Sequence, residues 1–344
     1  MLGKNILSYN NFIMSKKKKI LILRLGALGD VIMTTVIATA VKSKYPDCEI
    51  HYLTQSDIAP VLDSHPHIDR IIQWNRENRK SLKQFVQIVK ILFSERYDII
   101  FNLTYVLRNM LLCMFSCPRK IVFRKYTNRS WVEDFFYTAK TVIKDINCPE
   151  RLYLGLNDIS SKKIEKFMSK YRRPYITIAP CGDADKNRAG RIWNIEKTNE
   201  LANKLIQLYN GTVFIIGSKS ERDYHEKING EGIKVCSGEF DITESSVILA
   251  KSDLVISGDS APAHIAAAHN VKTLVLLGST SPDKIKPYGP SGYYISADYE
   301  CKYCWKKKCK KLKSYEKYTP CMEHISVEDV IEKIKEEKFL EYMR

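Results

Sequence analysis

The sequence predicts an α/β protein with two doubly wound parallel-sheet domains, and three observations carry that prediction. Short runs rich in Ile, Val and Tyr alternate with helix-length amphipathic segments. The alternation restarts at "YITIAP" after a polar stretch spanning 157–174. At 344 residues the chain exceeds one ordinary core and suits two domains of roughly 150 residues each, with a cleft between them.

The elements follow in order. "MLGKNILSYNNFI" lacks the long apolar core and small-residue cleavage site of a secretion signal, and Met14 follows it directly. Residues 1–17 are therefore expected to be a disordered extension or a start codon assigned too early. In the first domain, 18–156, strands are expected at 18–24, 49–53, 97–103 and 120–123. A helix is expected over 30–45, where Val31/Ile32, Val36/Ile37 and Ala40/Val41 return at near-helical spacing. A linker region is expected at 157–173. The second domain, 174–325, places strands at 175–180, 211–217, 253–257 and 271–278. Continuous apolar strands imply sheets covered on both faces, hence parallel ones. The end of the chain, 326–344, reads as an amphipathic helix: Ser326 stands three residues before Asp329, and Val327, Val330, Ile331 and Ile334 form one stripe.

Composition narrows the function classes. Fifty-five Lys and Arg against 39 Asp and Glu give a net charge of +16, which favours phosphate-rich partners: nucleotides, nucleic acids or anionic lipid headgroups. No stretch approaches the ~20 apolar residues of a membrane span. Ten cysteines without a secretion signal point to a reduced, cytoplasmic setting.

Four motifs carry chemistry. "RLGALGD", 24–30, joins a strand to a helix through a glycine turn and ends in Asp30. Gly26 and Gly29 give G-x-x-G, not the G-x-G-x-x-G of a dinucleotide site, and no acid closes the next strand to grip a ribose. Asp30 is either a helix N-cap, worth ~1 kcal/mol, or a carboxylate facing the interdomain cleft. "ISGDSAPAHIAAAH" runs from a strand through small residues into a helix expected to open at about His264. Backbone amides there favour a diphosphate, although Asp259 alone reads equally as a cap and His264 as a core histidine. "PCGDADKNRAGRIWN" holds a D-x-D pair, Asp183 and Asp185, usually solvated in such loops. It also holds Arg191, whose guanidinium suits a departing diphosphate. Finally, Cys301, Cys304, Cys309 and Cys321 are spaced C-x2-C-x4-C-x11-C among eight lysines. They read as a structural staple, reduced or holding Zn2+, or as a knuckle binding single-stranded nucleic acid.

Together these pieces resemble glycosyltransferase family 9, the heptosyltransferases of the lipopolysaccharide inner core. The matching stretches are "ILILRLGALGDVIMTTVIATAVKSKYPDCEIHYLT", "RIWN", "SGDSAPAHIAAA", "LGSTSP" and the late "CKYC…C…CMEHIS", together covering about 18–334. The resemblance implies the GT-B architecture: two facing Rossmann-like doubly wound domains, with a C-terminal amphipathic helix. It implies an inverting, metal-independent transfer with no cofactor. Asp30 would be the general base. Arg191, Glu221, Phe240, Asp259, Ser260, Ala261 and His264 would bind the donor, ADP-heptose. Gly26, Gly29, Arg108 and Arg124 would serve the acceptor, a lipid-linked anionic core oligosaccharide, with Arg119, Lys120 and Lys125 beside them. It further implies a monomer in peripheral contact with the cytoplasmic face of the inner membrane. Three departures stand out: Ala261 where the family has glycine, Arg191 where it has lysine, and Asn194 where it has proline. Two alternatives stay open: another nucleotide sugar or acceptor for the same chemistry, and a basic nucleic-acid-binding protein centred on the Cys-Lys segment.

Overall fold

The computed structural model describes residues 17–78, 81–180, 190–301, 303–306, 309–312 and 318–341. Residues 1–16 of the expected extension 1–17, and Cys181, Asp183 and Asp185 with their D-x-D loop, lie outside the described residues.

The first unit runs β1 (Lys19–Leu23), α1 (Leu28–Lys44), β2 (Glu49–Gln55), a 3-10 turn (Ala59–Leu62), β3 (Arg70–Trp74), α2 (Leu82–Glu95), β4 (Ile99–Asn102), α3 (Leu107–Phe115), β5 (Lys120–Phe123) and α4 (Trp131–Lys140). Its five strands are parallel, in the order β3-β2-β1-β4-β5. The second unit runs α5 (Asp158–Met168), β6 (Tyr175–Ala179), α6 (Ile195–Tyr209), β7 (Thr212–Ile215), a 3-10 turn (Lys219–Glu221), α7 (Arg222–His225), β8 (Ile233–Val235), α8 (Ile242–Lys251), β9 (Leu254–Gly258), α9 (Ala261–Ala268), β10 (Thr273–Leu277), α10 (Pro282–Ile285), β11 (Gly292–Ser296), α11 (Pro320–Glu323) and α12 (Val327–Glu336). Its six strands are also parallel, in the order β11-β10-β9-β6-β7-β8. Both sheets are doubly wound as the apolar runs required. Each reverses strand order once, between β1 and β4 and between β6 and β9, and a crevice forms at the carboxyl ends of such a pair.

Strands β3, β8 and β11 were not foreseen. All three stand at sheet edges, where burial is only partial and the apolar run is broken. The expected linker is itself largely helical: Asn157 caps α5 by accepting from the amides of Ile159 and Ser160, both at 3.0 Å, and α5 packs on α8 of the second unit. Helix α12 begins in a capping box between Ser326 and Asp329 and buries the expected stripe of Val327, Val330, Ile331 and Ile334 against α6 and β11. The Trp193 indole fastens this end by donating to the Ile325 carbonyl at 3.1 Å.

Helix α1 is buried nearly all round from Val31 to Val41, with its charged residues confined to its two ends. One side covers the first sheet and the other meets α9 of the second unit. A single apolar cluster consequently joins Ile20, Val31, Ile32 and Val36 to Val247, Ile248, Ile265 and Ala266. The two units share a core below the cleft and face each other above it.

Candidate functional site

The first half of the site lies where β1 gives way to α1. Helix α1 begins at Leu28 with Ala27 at its N-cap and no side-chain cap bond, so Asp30 is not the cap. It sits inside the first turn and pairs with Arg24 Nη2. Arg24 is in turn anchored across the switch point, where its Nη1 donates to the Leu103 carbonyl at 2.8 Å and to Thr104 Oγ1 at 3.2 Å, both beyond β4. Sequence reading missed Arg24 as a site residue, although it opens the quoted motif. Gly26 faces Gln55, and a Cβ there would stand 3.5 Å from Oε1, an ordinary contact.

The expected acceptor cations separate into two groups. Arg124 follows the carboxyl end of β5 and is 4% exposed. Its guanidinium lies over Phe135, Tyr126 and Trp131 at 4.2, 4.4 and 5.3 Å, with Asp134 at 3.9 Å. Burial lowers its pKa, and the charges of Tyr126, Arg24, Asp30 and Asp134 reach it. Arg108, in the first turn of α3, lies 4.8 Å over the Trp74 ring at the carboxyl end of β3. Arg119 and Lys120 belong elsewhere. They stand at the amino end of β5, where Arg119 pairs with Asp98 at 3.2 Å, on the sheet edge opposite Asp30.

The second half of the site lies at the other switch point. Asp259 is not a cap either. Its carboxylate, 8% exposed, holds Arg191 Nη2 at 3.0 Å, while the Arg191 side chain stays 21% exposed. The close approach of these segments needs Gly258: a Cβ there would lie 2.7 Å from the Arg191 carbonyl oxygen. Helix α9 opens earlier than expected, at Ala261 with Ser260 as N-cap, because Pro262 is tolerated in a first turn that has no use for its N–H. Ser260 Oγ exchanges a hydrogen bond with Ser257 Oγ at 2.9 Å and makes no cap bond, so the turn's amides are not occupied by that side chain. Asn194, the departure from proline, caps α6 by accepting from the Glu196 and Lys197 amides at 2.8 and 3.3 Å.

Two other expected donor residues differ in situation. Glu221, beyond β7, is 7% exposed; its Oε2 accepts from the Ser218 amide and hydroxyl, both at 2.7 Å, and its buried Oε1 has no hydrogen-bond partner among the described residues. Phe240 packs its ring edge-on against Phe167 at 5.0 Å and rests on the shared core, a packing role.

His264 joins the two halves. A Cβ on Gly29 would lie 3.1 Å from its Cδ2, so the acceptor-side turn abuts the donor-side helix. Burial pushes its pKa down to about 4; Asp30 raises it and Arg191 lowers it by lesser amounts. The ring is neutral at pH 7, within the fields of both named residues. Above it, Trp131 of the first unit meets Trp305 of the Cys-Lys segment edge-on at 5.3 Å, and Arg191 lies 5.9 Å over the Trp305 ring.

The thiol of Cys301 is pushed up in pKa by burial and by Cys304, Cys321 and Cys309, so the four sulfurs lie within one another's electrostatic reach. Among the described residues, three potential metal-ligand atoms within 4.8 Å of one another occur at Glu49, His51 and Glu95, not at the cysteines. That trio is occupied internally. His51 bonds Tyr97 and Glu49, both at 2.7 Å, and Glu95 is paired with Lys19 and Arg70.

Two parallel-sheet units, with a carboxylate at one switch point and an arginine beside a helix N-terminus at the other, give the two-domain α/β layout in which ligands bind at the carboxyl ends of the strands. Residues 112–315 match the model of glycosyltransferase family 9 (heptosyltransferase), and the chain belongs to that family. It is a glycosyltransferase with the GT-B fold. Lipopolysaccharide heptosyltransferase 3 of Escherichia coli is 23% identical over 281 residues, 73% of this chain and 81% of that protein. The structure of E. coli ADP-heptose lps heptosyltransferase II superposes with a TM-score of 0.76 at 19% identity, covering 95% of this chain and all of that one. The iron-containing dodecameric glycosyltransferase TibC of enterotoxigenic E. coli H10407 superposes with a TM-score of 0.58 at 15% identity, covering 95% of this chain and 77% of that one.

Proposed function

We propose that this glycosyltransferase moves heptose from ADP-heptose to the inner core of lipopolysaccharide, with inversion and without a catalytic metal. The observation that carries the reading is that the Gly29 turn, one residue before Asp30, abuts His264 of the helix whose preceding turn holds the Arg191–Asp259 pair. Asp30 would take the proton of an acceptor hydroxyl as that oxygen attacks the anomeric carbon from the face opposite the diphosphate. The bond from that carbon to the diphosphate oxygen breaks as the new one forms. Arg191 and the amides of Ser260 and Ala261 would receive the charge of the departing ADP. Glu221 Oε1, buried and unpartnered, is suited to accept from a hydroxyl of the nucleotide. Arg108 and Arg124 would meet the anionic acceptor, and the enzyme would act as a monomer.

The four cysteines fit a structural ion by their chemistry, since four thiolates suit Zn2+ or iron. Such an ion would fix the segment carrying Trp305 and take no part in transfer. The alternative of a nucleic-acid-binding knuckle is disfavoured because Trp305, its aromatic, is already engaged by Trp131 and Arg191.

The deciding experiment incubates the enzyme with several nucleotide sugars and deacylated core acceptors and reads the products by mass. Addition of one heptose from ADP-heptose alone is expected; transfer only from a different nucleotide sugar would overturn the donor assignment. Run in EDTA with circular dichroism on the same sample, turnover should persist while the fold does. A folded, inactive enzyme rescued by Mn2+ would sink the metal-free mechanism.

A further inference from the structure

Given the leaving-group role proposed above for Arg191, we infer that Trp305 is a positioning residue: set against Trp131 of the first unit, its ring holds the Arg191 guanidinium for a diphosphate. Trp305 belongs to the Cys-Lys segment, yet it is 43% exposed and its ring contacts lie outside that segment. Trp131 meets it edge-on at 5.3 Å, and the Arg191 guanidinium lies 5.9 Å over it.

The ring is held from both units. The backbone of Trp305 is left-handed, with φ 53°, as is that of Tyr303 with φ 61°, a conformation that a bulky residue keeps only where its surroundings fix it. Bonds to the second sheet do the fixing. The Trp305 amide donates to the Ser279 carbonyl at 2.9 Å, beyond β10, and the Tyr303 hydroxyl shares a hydrogen bond with Ser296 Oγ at 2.9 Å, at the end of β11. Ser279 also donates its amide to the Gly190 carbonyl at 3.3 Å, so Trp305 and Arg191 hang from one point. From the first unit comes Trp131, at the start of α4. Lys284 of α10 clasps the stretch before it, donating to the Thr127 and Arg129 carbonyls at 3.0 and 2.7 Å. The Trp131 ring packs on Ala263, Val275, Leu277 and Ile285 of the second unit. These contacts involve neither Trp305 nor Arg191, so Trp131 is a fixed support for the Trp305 ring.

Asp259 draws in Arg191 Nη2 at 3.0 Å. An ion pair sets a distance, whereas an aromatic face also sets the tilt of the guanidinium plane. A guanidinium held in one plane presents its N–H fork to a diphosphate without first losing side-chain freedom. The ring thereby makes the donor side of the site depend on the first unit, through Trp131.

The test is titration calorimetry with ADP, and with UDP as a second probe. Trp305→Leu, which keeps an apolar bulk and removes the aromatic face, should weaken ADP binding about threefold to tenfold. Trp305→Phe, which keeps a face, should bind ADP within about twofold of the wild type. In the Arg191→Ala background Trp305→Leu should cause no further loss, because the ring acts through that guanidinium. Trp131→Leu, on a separate element, should weaken ADP in the same direction and again only while Arg191 is present, which keeps the question decidable if Trp305→Leu fails to fold. Leucine variants that bind ADP as the wild type does would overturn the proposal. So would equal losses with and without Arg191, which would make the rings structural members only, or a Trp305→Phe as weak as Trp305→Leu. Arg191→Ala with unchanged ADP binding refutes the leaving-group reading itself; Arg191→Ala that weakens ADP while neither leucine variant does refutes the positioning alone. Tighter binding of UDP than of ADP would overturn the donor assignment, and the same comparisons are then read with UDP.

Discussion

The two switch points carry the same pair of residues with opposite emphasis. At the first, Arg24 is anchored by Leu103 and Thr104, and the acid Asp30 is the slightly more exposed partner, 15% against 12%. At the second, the acid Asp259 is the buried anchor at 8% and Arg191 is the exposed member at 21%. In an ion pair, the group held by the scaffold positions its partner, and the partner left toward the cleft does the chemistry. On the proposed function, one crevice would offer a carboxylate to a proton and the other a guanidinium to a phosphate, from one kind of pair.

If that division holds, Asp30→Ala should cause the largest loss, about 10²–10⁴-fold in kcat, the scale of general-base catalysis. Donor affinity, measured by titration with ADP, should change by less than about twofold, because the acid belongs to the acceptor side. Weakened ADP binding would erase the contrast between the crevices. Arg191→Ala comes next, with a loss of about 10–10³-fold in kcat/KM for the donor, equivalent to about 1.5–4 kcal/mol. Unchanged kinetics would remove Arg191 from the leaving-group site.

Acid should separate the two halves as well. Four imidazoles, three buried and His269 half-buried, are pushed down from 6.5 by desolvation: His65 to about 3, and His225, His264 and His269 to about 4. Three of these four are in the second unit. Between about pH 6.5 and 4 the unfolded chain binds protons that the folded chain refuses, so stability is full above pH 6.5 and is lost as the pH falls through that window. Urea midpoints should drop between pH 7 and 5, and hydrogen exchange should accelerate first in β7, β9 and α9. Earlier opening of β1 and β4 would contradict this order. The smallest effect is expected from Gly29→Ala, whose Cβ would stand 3.1 Å from His264 Cδ2. A displacement of a few tenths of an ångström should slow kcat by about threefold, with KM for the donor nearly constant; a rate equal to wild type would show that the turn does not press on His264.

Legibility in the sequence followed burial. Runs such as "KILIL" and "YITIA", buried on both faces, announced their strands, and a capping signature announced α12. β3, β8 and β11 escaped because an edge strand needs apolar residues on fewer positions. In the site, the residue types were readable and their pairing was not. Asp30 and Asp259 both passed for helix caps, since a cap and an ion-pair partner stand at the same place in the chain. Arg24 is only six residues before Asp30, yet its anchoring comes from Leu103 and Thr104, which β4 alone brings near. Arg119 and Lys120 were assigned with Arg124 because they are its neighbours in sequence, whereas a four-residue strand puts them at its opposite end.

Helix α9 has five alanines among its eight residues, and Ala266 and Ala268 join the cluster it shares with α1. Methyl groups make shallow ridges, and a shallow-ridged helix can be shifted along its partner without side chains changing wells. On that ground the seam would serve as a low-friction bearing as well as a glue, with the Gly29 turn and the imidazole of His264 in contact across it. Any closing of the two halves on a sugar nucleotide would proceed by slip within a dry joint. It would expose no new apolar surface, so saturation with ADP should leave the fluorescence of a hydrophobic dye such as ANS unchanged.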